Sequence, residues 1–333
     1  MKNASESVII LEVIIMRKGD VHMINIYKTS EVNRLEKVDY ADAGCWIAVT
    51  EPSSQEIKTL IDQYGLDTDF IKSSLDDEET SRVEREDDQT LIIVDTPESE
   101  LREDDTVVYY TTPLAIIIKD SMIFTITLRK NTVIDDLLKG RIRGVTTAHR
   151  TKFVLQLMLR ASAIYLLYLR QIDKASNSIE QHLHEATKNQ EIIQLLELQK
   201  SLVYLSTSLK SNETSLNKIL RGRVIKLYED DQDLLEDVLI ENKQAIEMST
   251  IYSSILTSTM EAFSSVINNN MNRVMWRLTV MTIILAVPTI IYSFYGMNTS
   301  DLPIPQTWFP TLISIIAVVI VAVVLSKSKS MRK

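Results

Sequence analysis

Two stretches near the C-terminus, residues 278–300 and 302–326, are mostly apolar and contain no charged side chain. A bilayer core is about 30 Å thick and is crossed by about 20 apolar residues of a helix, so each stretch is long enough to span a membrane once. The segment between them contains Pro303 and Pro305 and is predicted to form a tight loop. The sequence therefore predicts a membrane protein with two C-terminal transmembrane helices.

The charges that flank these stretches predict an orientation. Arg273 and Arg277 precede the first span, four basic residues lie in the tail 327–333, and the loop contains only Asp301. Because cytoplasmic loops are enriched in Lys and Arg, both termini are expected in the cytoplasm and the loop outside. We therefore expect a protein of the cell membrane that contacts lipid.

The first span carries a polar stripe that the second lacks. At about 100° per residue, six residues fall on one narrow face: Met275, Thr279, Thr282, Ala286, Thr289 and Ser293. Hydroxyl groups in a membrane helix often bond the backbone or join helices. Their confinement to one stripe favours the alternative, a water-filled path. Because a two-span subunit cannot enclose such a path alone, the stripe implies a closed ring of copies.

The region before the spans predicts an α/β domain followed by long helices. Strands are expected at residues 23–27, 46–49, 90–94, 107–110, 114–119 and 122–128, and a helix at 55–64. No Gly or Pro occurs from residue 145 to 221 or from 223 to 287, which predicts long helices separated by a turn at Gly222. Two leucine-rich faces are predicted on the helices before that turn: Leu155, Leu159, Leu166 and Leu169 on one, and Ile192, Leu195, Leu196, Leu202 and Val203 on the other.

Composition excludes several classes of function. A net charge of −9 without a basic patch argues against nucleic-acid binding. The single cysteine, Cys45, excludes an intramolecular disulfide. With no glycine-rich phosphate loop and no histidine-containing catalytic constellation, the chain is not expected to be an enzyme or to hold an organic cofactor.

The end of the first span carries a family resemblance. Tyr295-Gly296-Met297-Asn298, preceded by Met271-Asn272-Arg273-Val274-Met275 and Leu278-Thr279, resembles the CorA family of magnesium channels. Pro288 within the span, the short loop and the long helices upstream strengthen the resemblance. It implies a homopentamer with an N-terminal α/β cytoplasmic domain and a long stalk helix that continues into the pore-lining span.

The resulting fold class is an α+β membrane protein. The expected segments are an N-terminal extension of uncertain start (1–22), the cytoplasmic α/β domain (23–145), a long helical hairpin and stalk (146–271), the pore-lining helix (272–298), the extracytoplasmic loop (299–307), the second transmembrane helix (308–326) and a basic cytoplasmic tail (327–333).

The resemblance also implies roles for individual residues. Gly296, Met297 and Asn298 would form the selectivity filter, where neutral groups bind the water shell of Mg²⁺, an ion that loses its water reluctantly. Met275 and Leu278 would supply apolar constrictions. The implied pore-lining set is Asn272, Met275, Leu278, Thr282, Ala286, Thr289 and Ser293.

Acidic residues are candidates for attracting or sensing cations. Asp237 matches the position where the family has an acid that binds regulatory Mg²⁺ between subunits, but the position of its partner acid holds Ser73. Asp76 and Asp77 lie close enough in sequence to substitute for it. A ring of Glu261 side chains would concentrate cations at the cytoplasmic mouth, and Asp301 would do so outside.

The predicted function is therefore a divalent cation channel for Mg²⁺ uptake, gated by cytoplasmic Mg²⁺. One alternative is a channel for Co²⁺, Ni²⁺ or Zn²⁺. An alternative from another class is a membrane-anchored coiled-coil scaffold or sensor, in which the hydroxyl stripe only packs helices.

Overall fold

The structure is a computed structural model and describes residues 24–30, 34–102, 106–183, 189–222, 224–297, 304, 306 and 308–330. The chain divides into two compact units, Met1–Thr257 and Ser258–Lys333. The first unit contains a sheet and five complete helices among the described residues, and the second contains the end of a long sixth helix and a seventh.

The first unit is built on a seven-stranded sheet with the strand order β2-β1-β3-β7-β6-β5-β4. Neighbouring strands are antiparallel except for β3 and β7, which are parallel. The strands are β1 (Ile24–Thr29), β2 (Leu35–Val38), β3 (Trp46–Thr50), β4 (Arg82–Glu86), β5 (Gln89–Leu101), β6 (Val107–Lys119) and β7 (Met122–Thr127).

Three short and four long helices complete the fold. The short ones are α1 (Ser54–Asp62), α2 (Thr68–Ser74) and α3 (Thr132–Leu138). The long ones are α4 (Arg150–Leu183), α5 (Asn189–Leu220), α6 (Glu229–Tyr295) and α7 (Trp308–Ser330). The long helices predicted after residue 145 are therefore present, and Gly222 adopts the positive φ of 65° that the predicted turn requires.

The central strands of the sheet are buried on both faces. One face packs with α1 and α2 around a core that includes Leu60, Phe70 and Ile93. On the other face Trp46 packs against Phe153 of α4, with ring centroids 5.4 Å apart. The consecutive residues Ile92-Ile93-Val94 and Ile116-Ile117-Ile118 are all buried because alternate side chains enter opposite cores.

The prediction of separate strands at residues 107–110 and 114–119 is wrong, since β6 runs unbroken through Pro113. Pro113 pairs with Asp95 of β5. The Asp95 N–H donates to the side chain of Asn212 on α5, so Asp95 and Pro113 are not hydrogen-bonded to each other between β5 and β6. A residue whose N–H points away from the neighbouring strand can be proline without weakening that ladder.

Helix α5 packs through a heptad-like seam. Its buried apolar residues and Asn212 alternate at spacings of three and four: Leu195, Leu198, Leu202, Leu205, Leu209, Asn212, Leu216 and Ile219. Ser201, Ser208 and Ser215 are also buried, and they recur every seven residues. Leu196 and Val203 of the predicted apolar face are 40% and 54% exposed, so the single chain covers only part of that face. The seam follows a period of 3.5 residues, which places both residues on the outer side of the helix.

Asn212 docks α5 on the open edge of β5. Strand β4 pairs with β5 only as far as Ile93. Beyond that point the Asn212 amide accepts a hydrogen bond from the Asp95 N–H at 3.0 Å and donates one to the Asp95 carbonyl at 2.8 Å. Tyr165 of α4 also donates to this carbonyl at 3.0 Å. Asp95 of β5 thereby connects the sheet to both α4 and α5.

The side chain of Asp95 is buried at this junction, and burial raises its pKa from 3.8 to about 6, partly opposed by a hydrogen bond from Ser208. The folded protein therefore holds this proton more tightly than the unfolded chain. Stability contributed by the protonated group is present below about pH 4 and is lost as pH rises through about 6.

We expect Asp95→Asn to stabilise the protein by about 1–3 kcal/mol at pH 8, because it removes a buried charge equivalent to about two pKa units. Between pH 4 and 7 its stability should vary less steeply than that of the wild type. Thermal unfolding of the full chain in detergent across this range measures both effects.

The matched control is Asp88→Asn, which neutralises an exposed carboxylate just before β5. Burial also raises the pKa of Glu98, so some slope should remain in the Asp95 variant. Parallel stability curves for the wild type and Asp95→Asn would contradict the expected role of Asp95.

Candidate ion-conduction site

Three helices are long and apolar enough to cross a membrane among the described residues, namely α4, α6 and α7. The apolar window of α4 is 72% buried within the protein, so its side chains already have protein partners. The corresponding windows are 0% buried in α6 and 11% buried in α7. Of these three helices, α6 and α7 therefore present apolar windows that need another environment or other copies of the chain.

Helix α6 is continuous from Glu229 to Tyr295 and includes Pro288. The predicted pore-lining residues all lie on it with exposed side chains: Asn272, Met275, Leu278, Thr282, Ala286, Thr289 and Ser293. Glu261 is also exposed on α6. Most side chains of this part of α6 are exposed in the single chain, so their assignment to a pore remains a prediction.

The threonine hydroxyls of the stripe bond their own helix. Thr279, Thr282 and Thr289 each donate to the carbonyl four residues earlier at 2.9 Å. This is the ordinary backbone bond of Thr in a helix. Because the hydroxyl hydrogen is used, the oxygen presents lone pairs as an acceptor to any group outside the helix.

Helix α6 ends at the predicted filter motif. The Gly296 N–H donates to the Tyr292 carbonyl at 2.9 Å, and a Cβ added at Gly296 would lie only 3.2 Å from that oxygen. A larger residue would therefore force the helix end to shift. Met297 is exposed, whereas Asn298 and Asp301 lie outside the described residues.

Polar and aromatic contacts join α6 to α7 within the second unit. The Tyr292 hydroxyl donates to Thr311 at 3.0 Å, and the rings of Tyr295 and Phe309 lie 6.3 Å apart. Thr311, one of two hydroxyl residues near the start of α7, is thus used in helix packing. The other, Ser314, is buried and 4% exposed.

The acidic candidates of the first unit differ in their partners. Asp77 forms an ion pair with Arg129 at 3.0 Å. Asp76 accepts a hydrogen bond from the Glu78 N–H at 2.9 Å and has no ion pair among the described residues. Asp237 on α6 is exposed and likewise has no ion pair in this part of the chain.

Ser73, at the position of the expected partner acid, accepts a hydrogen bond from the Arg82 guanidinium at 3.0 Å. Arg82 also pairs with Glu79 and Glu84. Sequence analysis missed Arg82 and Arg129. The only signal was that they are basic residues near or facing the acidic run 76–79, and the contact of Arg129 with Asp77 spans 52 residues of sequence.

A cluster of three or more His, Cys, Asp or Glu side chains able to hold a metal ion is absent from the residues that the structure describes. Asp76 and Asp237 fit a Mg²⁺ site because they are oxygen ligands without a cationic partner. Ser73 and Asp77 do not fit, since each is engaged by a guanidinium.

Comparison with known proteins supports this architecture. The sequence profile described as CorA-like Mg²⁺ transporter protein matches residues 41–327. The cobalt/magnesium transport protein CorA of Methanocaldococcus jannaschii is 28% identical over 303 residues, which cover 87% of this chain and 92% of that protein.

Solved structures show the same fold. The complete structure of the CorA magnesium transporter from M. jannaschii matches with a TM-score of 0.76 and 26% identity, covering 92% of this chain and 97% of that chain. The full-length CmaX protein matches with a TM-score of 0.70, covering 93% and 99% of the two chains. Its identity of 17% supports a likeness of fold alone.

The fold places the chain among proteins that join an α/β unit to long helices and two apolar C-terminal helices. Because the family profile spans most of its length, the chain belongs to the family of CorA-like Mg²⁺ transporter proteins.

Proposed function

We propose that the chain forms a homopentameric channel that conducts Mg²⁺ across the cell membrane, with both termini in the cytoplasm. The observation that carries the proposal is α6, one unbroken helix of 67 residues that ends at Tyr295, directly before Gly296. Its apolar window is 0% buried within the chain. Five such helices would line the pore, and α7 would separate them from lipid. The number five comes from the family resemblance.

The hydrogen bonds of the threonine stripe support conduction of a hydrated cation. Water bound to a cation directs its hydrogens outward. The hydroxyl oxygens of Thr279, Thr282 and Thr289 are available as acceptors, because their hydrogens are donated to the helix backbone. Such a lining binds the water shell without carrying charge.

The filter is proposed at Gly296, Met297 and Asn298. Mg²⁺ dehydrates reluctantly and is commonly bound with several waters retained. A ring of Asn298 amides with the Gly296 carbonyls would hold these waters, whereas a ring of carboxylates would bind the ion too tightly for release. Deeper in the pore, Met275 and Leu278 are the proposed hydrophobic constriction, and the small Ala286 leaves the pore wider.

Other divalent ions are the second candidate class of substrate. The M. jannaschii relative is described as a cobalt/magnesium transport protein, which favours testing Co²⁺ first. Ni²⁺ and Zn²⁺ follow, because a filter that binds the water shell distinguishes divalent ions less sharply than direct coordination.

Purified protein in proteoliposomes tests the function. We expect uptake of Mg²⁺ down its gradient, and a pentameric mass for the same preparation in detergent. Parallel uptake of Co²⁺, Ni²⁺ and Zn²⁺ ranks the ions. Normal assembly without uptake of any divalent ion would favour the scaffold or sensor, and a conducting monomer or dimer would refute the ring.

We expect Asn298→Ala and Asn298→Asp both to reduce Mg²⁺ flux, for opposite reasons. The Ala variant loses the amides that bind the water shell, and the Asp variant adds a ring of charge that slows release. Flux assays combined with Mg²⁺ binding separate the two, since only the Asp variant should bind Mg²⁺ more tightly than the wild type.

Asn269→Ala is the matched control, because Asn269 is an exposed asparagine of α6 outside the predicted stripe. It should leave flux unchanged. If Asn298→Ala assembles normally and conducts at the wild-type rate, Asn298 only terminates the helix.

Gating by cytoplasmic Mg²⁺ is the regulatory part of the proposal. Asp237 of one subunit and Asp76 of its neighbour would supply oxygen ligands to the regulatory ion, whose charge would neutralise their repulsion. Glu261 would concentrate cations at the cytoplasmic mouth, and Asp301 would do so on the other side.

We expect Asp237→Ala to retain uptake at internal Mg²⁺ concentrations that inhibit the wild type. Asp76→Asn should act in the same direction. Asp77→Asn should relieve the inhibition by internal Mg²⁺ less than the other two substitutions, because Asp77 is already paired with Arg129. Inhibition of uptake as a function of internal Mg²⁺ measures all three, and superimposable curves for the wild type and Asp237→Ala would remove Asp237 from the mechanism.

A further inference from the structure

Helix α5 has an outer face that the fold of one chain leaves uncovered. Large apolar side chains lie on its first half with 40–58% of their surface exposed: Ile193, Leu196, Val203 and Tyr204. The second half of the same face is basic, with Lys210, Lys218 and Arg221 exposed. These three bases form no ion pair among the described residues.

The part of α6 within the first unit has an outer face of the opposite polarity. It packs inward through Leu235, Val238 and Ala245. On its outer side the early residues Asp233 and Glu236 are exposed acids, and neither has an ion pair in the part of the chain that the structure describes. Farther along, Ile251 and Ile255 are exposed apolar residues, at 55% and 47%.

Two hydrogen bonds fix the relative heights of these features. Asn242 donates to the Leu209 carbonyl at 3.1 Å, and Gln199 donates to Thr257 at 3.3 Å, so α5 and α6 run antiparallel. Counting from these bonds places residue 203 level with residues 248–253 and residue 221 level with residues 230–235. The apolar half of α5 therefore lies level with Ile251 and Ile255, and its basic end lies level with Asp233 and Glu236.

We propose that the outer face of α5 in one copy packs against the outer face of α6 in the next copy around a ring. The inference rests on the proposed function only for the existence of the ring. In cyclic symmetry, copies related by rotation about an axis parallel to the helices are not displaced along it, so residues at equal height meet. In this arrangement the large apolar residues come level with apolar residues and the basic end with acids, while the exposed Lys200 and Glu247 also lie at the apolar level.

The two faces belong to different helices, so each copy uses one on either side. Such a heterologous contact repeats around the ring until it closes. Val203 and Ile251 form its apolar end, and Lys218 and Arg221 meet Glu236 and Asp233 at the other. Charge complementarity of this kind fixes register and suppresses displaced pairings.

The middle of the contact is less selective. Lys210 lies level with residues 241–246, which include one acid, Glu241, and one base, Lys243. The apolar and charged ends therefore set the register. Ser215 of α5 lies 2.9 Å from Ser81, which places the chain segment after Asp76 beside the basic half of α5. This contact is buried within one chain, so it leaves the exposed face of α5 free for the neighbouring copy.

Cysteine cross-linking of the full chain in membranes tests the register. Val203→Cys combined with Ile251→Cys should shift the protein from monomer to a ladder of cross-linked species up to the complete ring, on treatment with an oxidant or a short bis-maleimide. Either single variant should remain monomeric, because a heterologous contact does not bring identical residues together. The native Cys45 is buried and is retained throughout.

The matched control pairs Leu196→Cys with Ile240→Cys, two exposed positions on the same faces at different heights. Residue 196 lies level with residues 255–260, at least about 22 Å along the helix from residue 240 at about 1.5 Å per residue. This pair should not cross-link. Equal cross-linking of both pairs, or none of the matched pair in an assembled ring, would overturn the proposal.

Charge reversal provides a second measurement. Lys218→Glu with Arg221→Glu should shift the assembly toward smaller species in detergent, and addition of Asp233→Lys with Glu236→Lys should restore the ring. A ring unaffected by the first pair would overturn the proposed contact. Loss of Mg²⁺ uptake and of the ring in the wild type would instead refute the proposed function, so the two failures are distinguishable.

Discussion

The architecture depends on one helix, α6, whose two parts lie in different environments. The first part of α6 buries Leu235, Val238 and Ala245 against its own chain, while its apolar window lacks such burial. A single chain cannot remove that apolar surface from water. The surface can be covered only by lipid, by α7 or by other copies of the chain.

The sheet and the long helices were predictable where many consecutive residues share one pattern. Strands β1, β3, β5 and β7 follow from their apolar residues, and the helices after residue 145 from the absence of Gly and Pro. The missed strands β2 and β4 form the two edges of the sheet, where charged residues protect against further pairing and obscure the pattern. The missed helices α2 and α3 have seven residues each, too few to show a period, although Asp67 and Asn131 cap them.

The residues of the candidate site were likewise predictable only where the pattern is local in sequence. The motif at Gly296 and the stripe on α6 are local in sequence, so they could be found without a structure. The contacts that qualify the regulatory acids join distant residues, as Arg129 and Asp77 show, and no local pattern predicts them. Likewise, the outward exposure of Leu196 and Val203 depends on how Asn212 and its neighbours seat α5 on the ribbon of β5 and β6.

The proposed pore is neutral because of two free-energy costs, that of removing water from Mg²⁺ and that of holding charged side chains within the spans. Removing water from Mg²⁺ costs far more than reorganising its second shell, so a rapid path must bind waters rather than the ion itself. Carboxylates in the spans would bind the ion strongly and would be costly to hold in an apolar environment. Hydroxyl oxygens whose hydrogens are donated to the backbone, as in Thr279, Thr282 and Thr289, avoid both costs. The charges can then remain outside the spans, at Glu261 and Asp237, where water screens them and where they can respond to the ion.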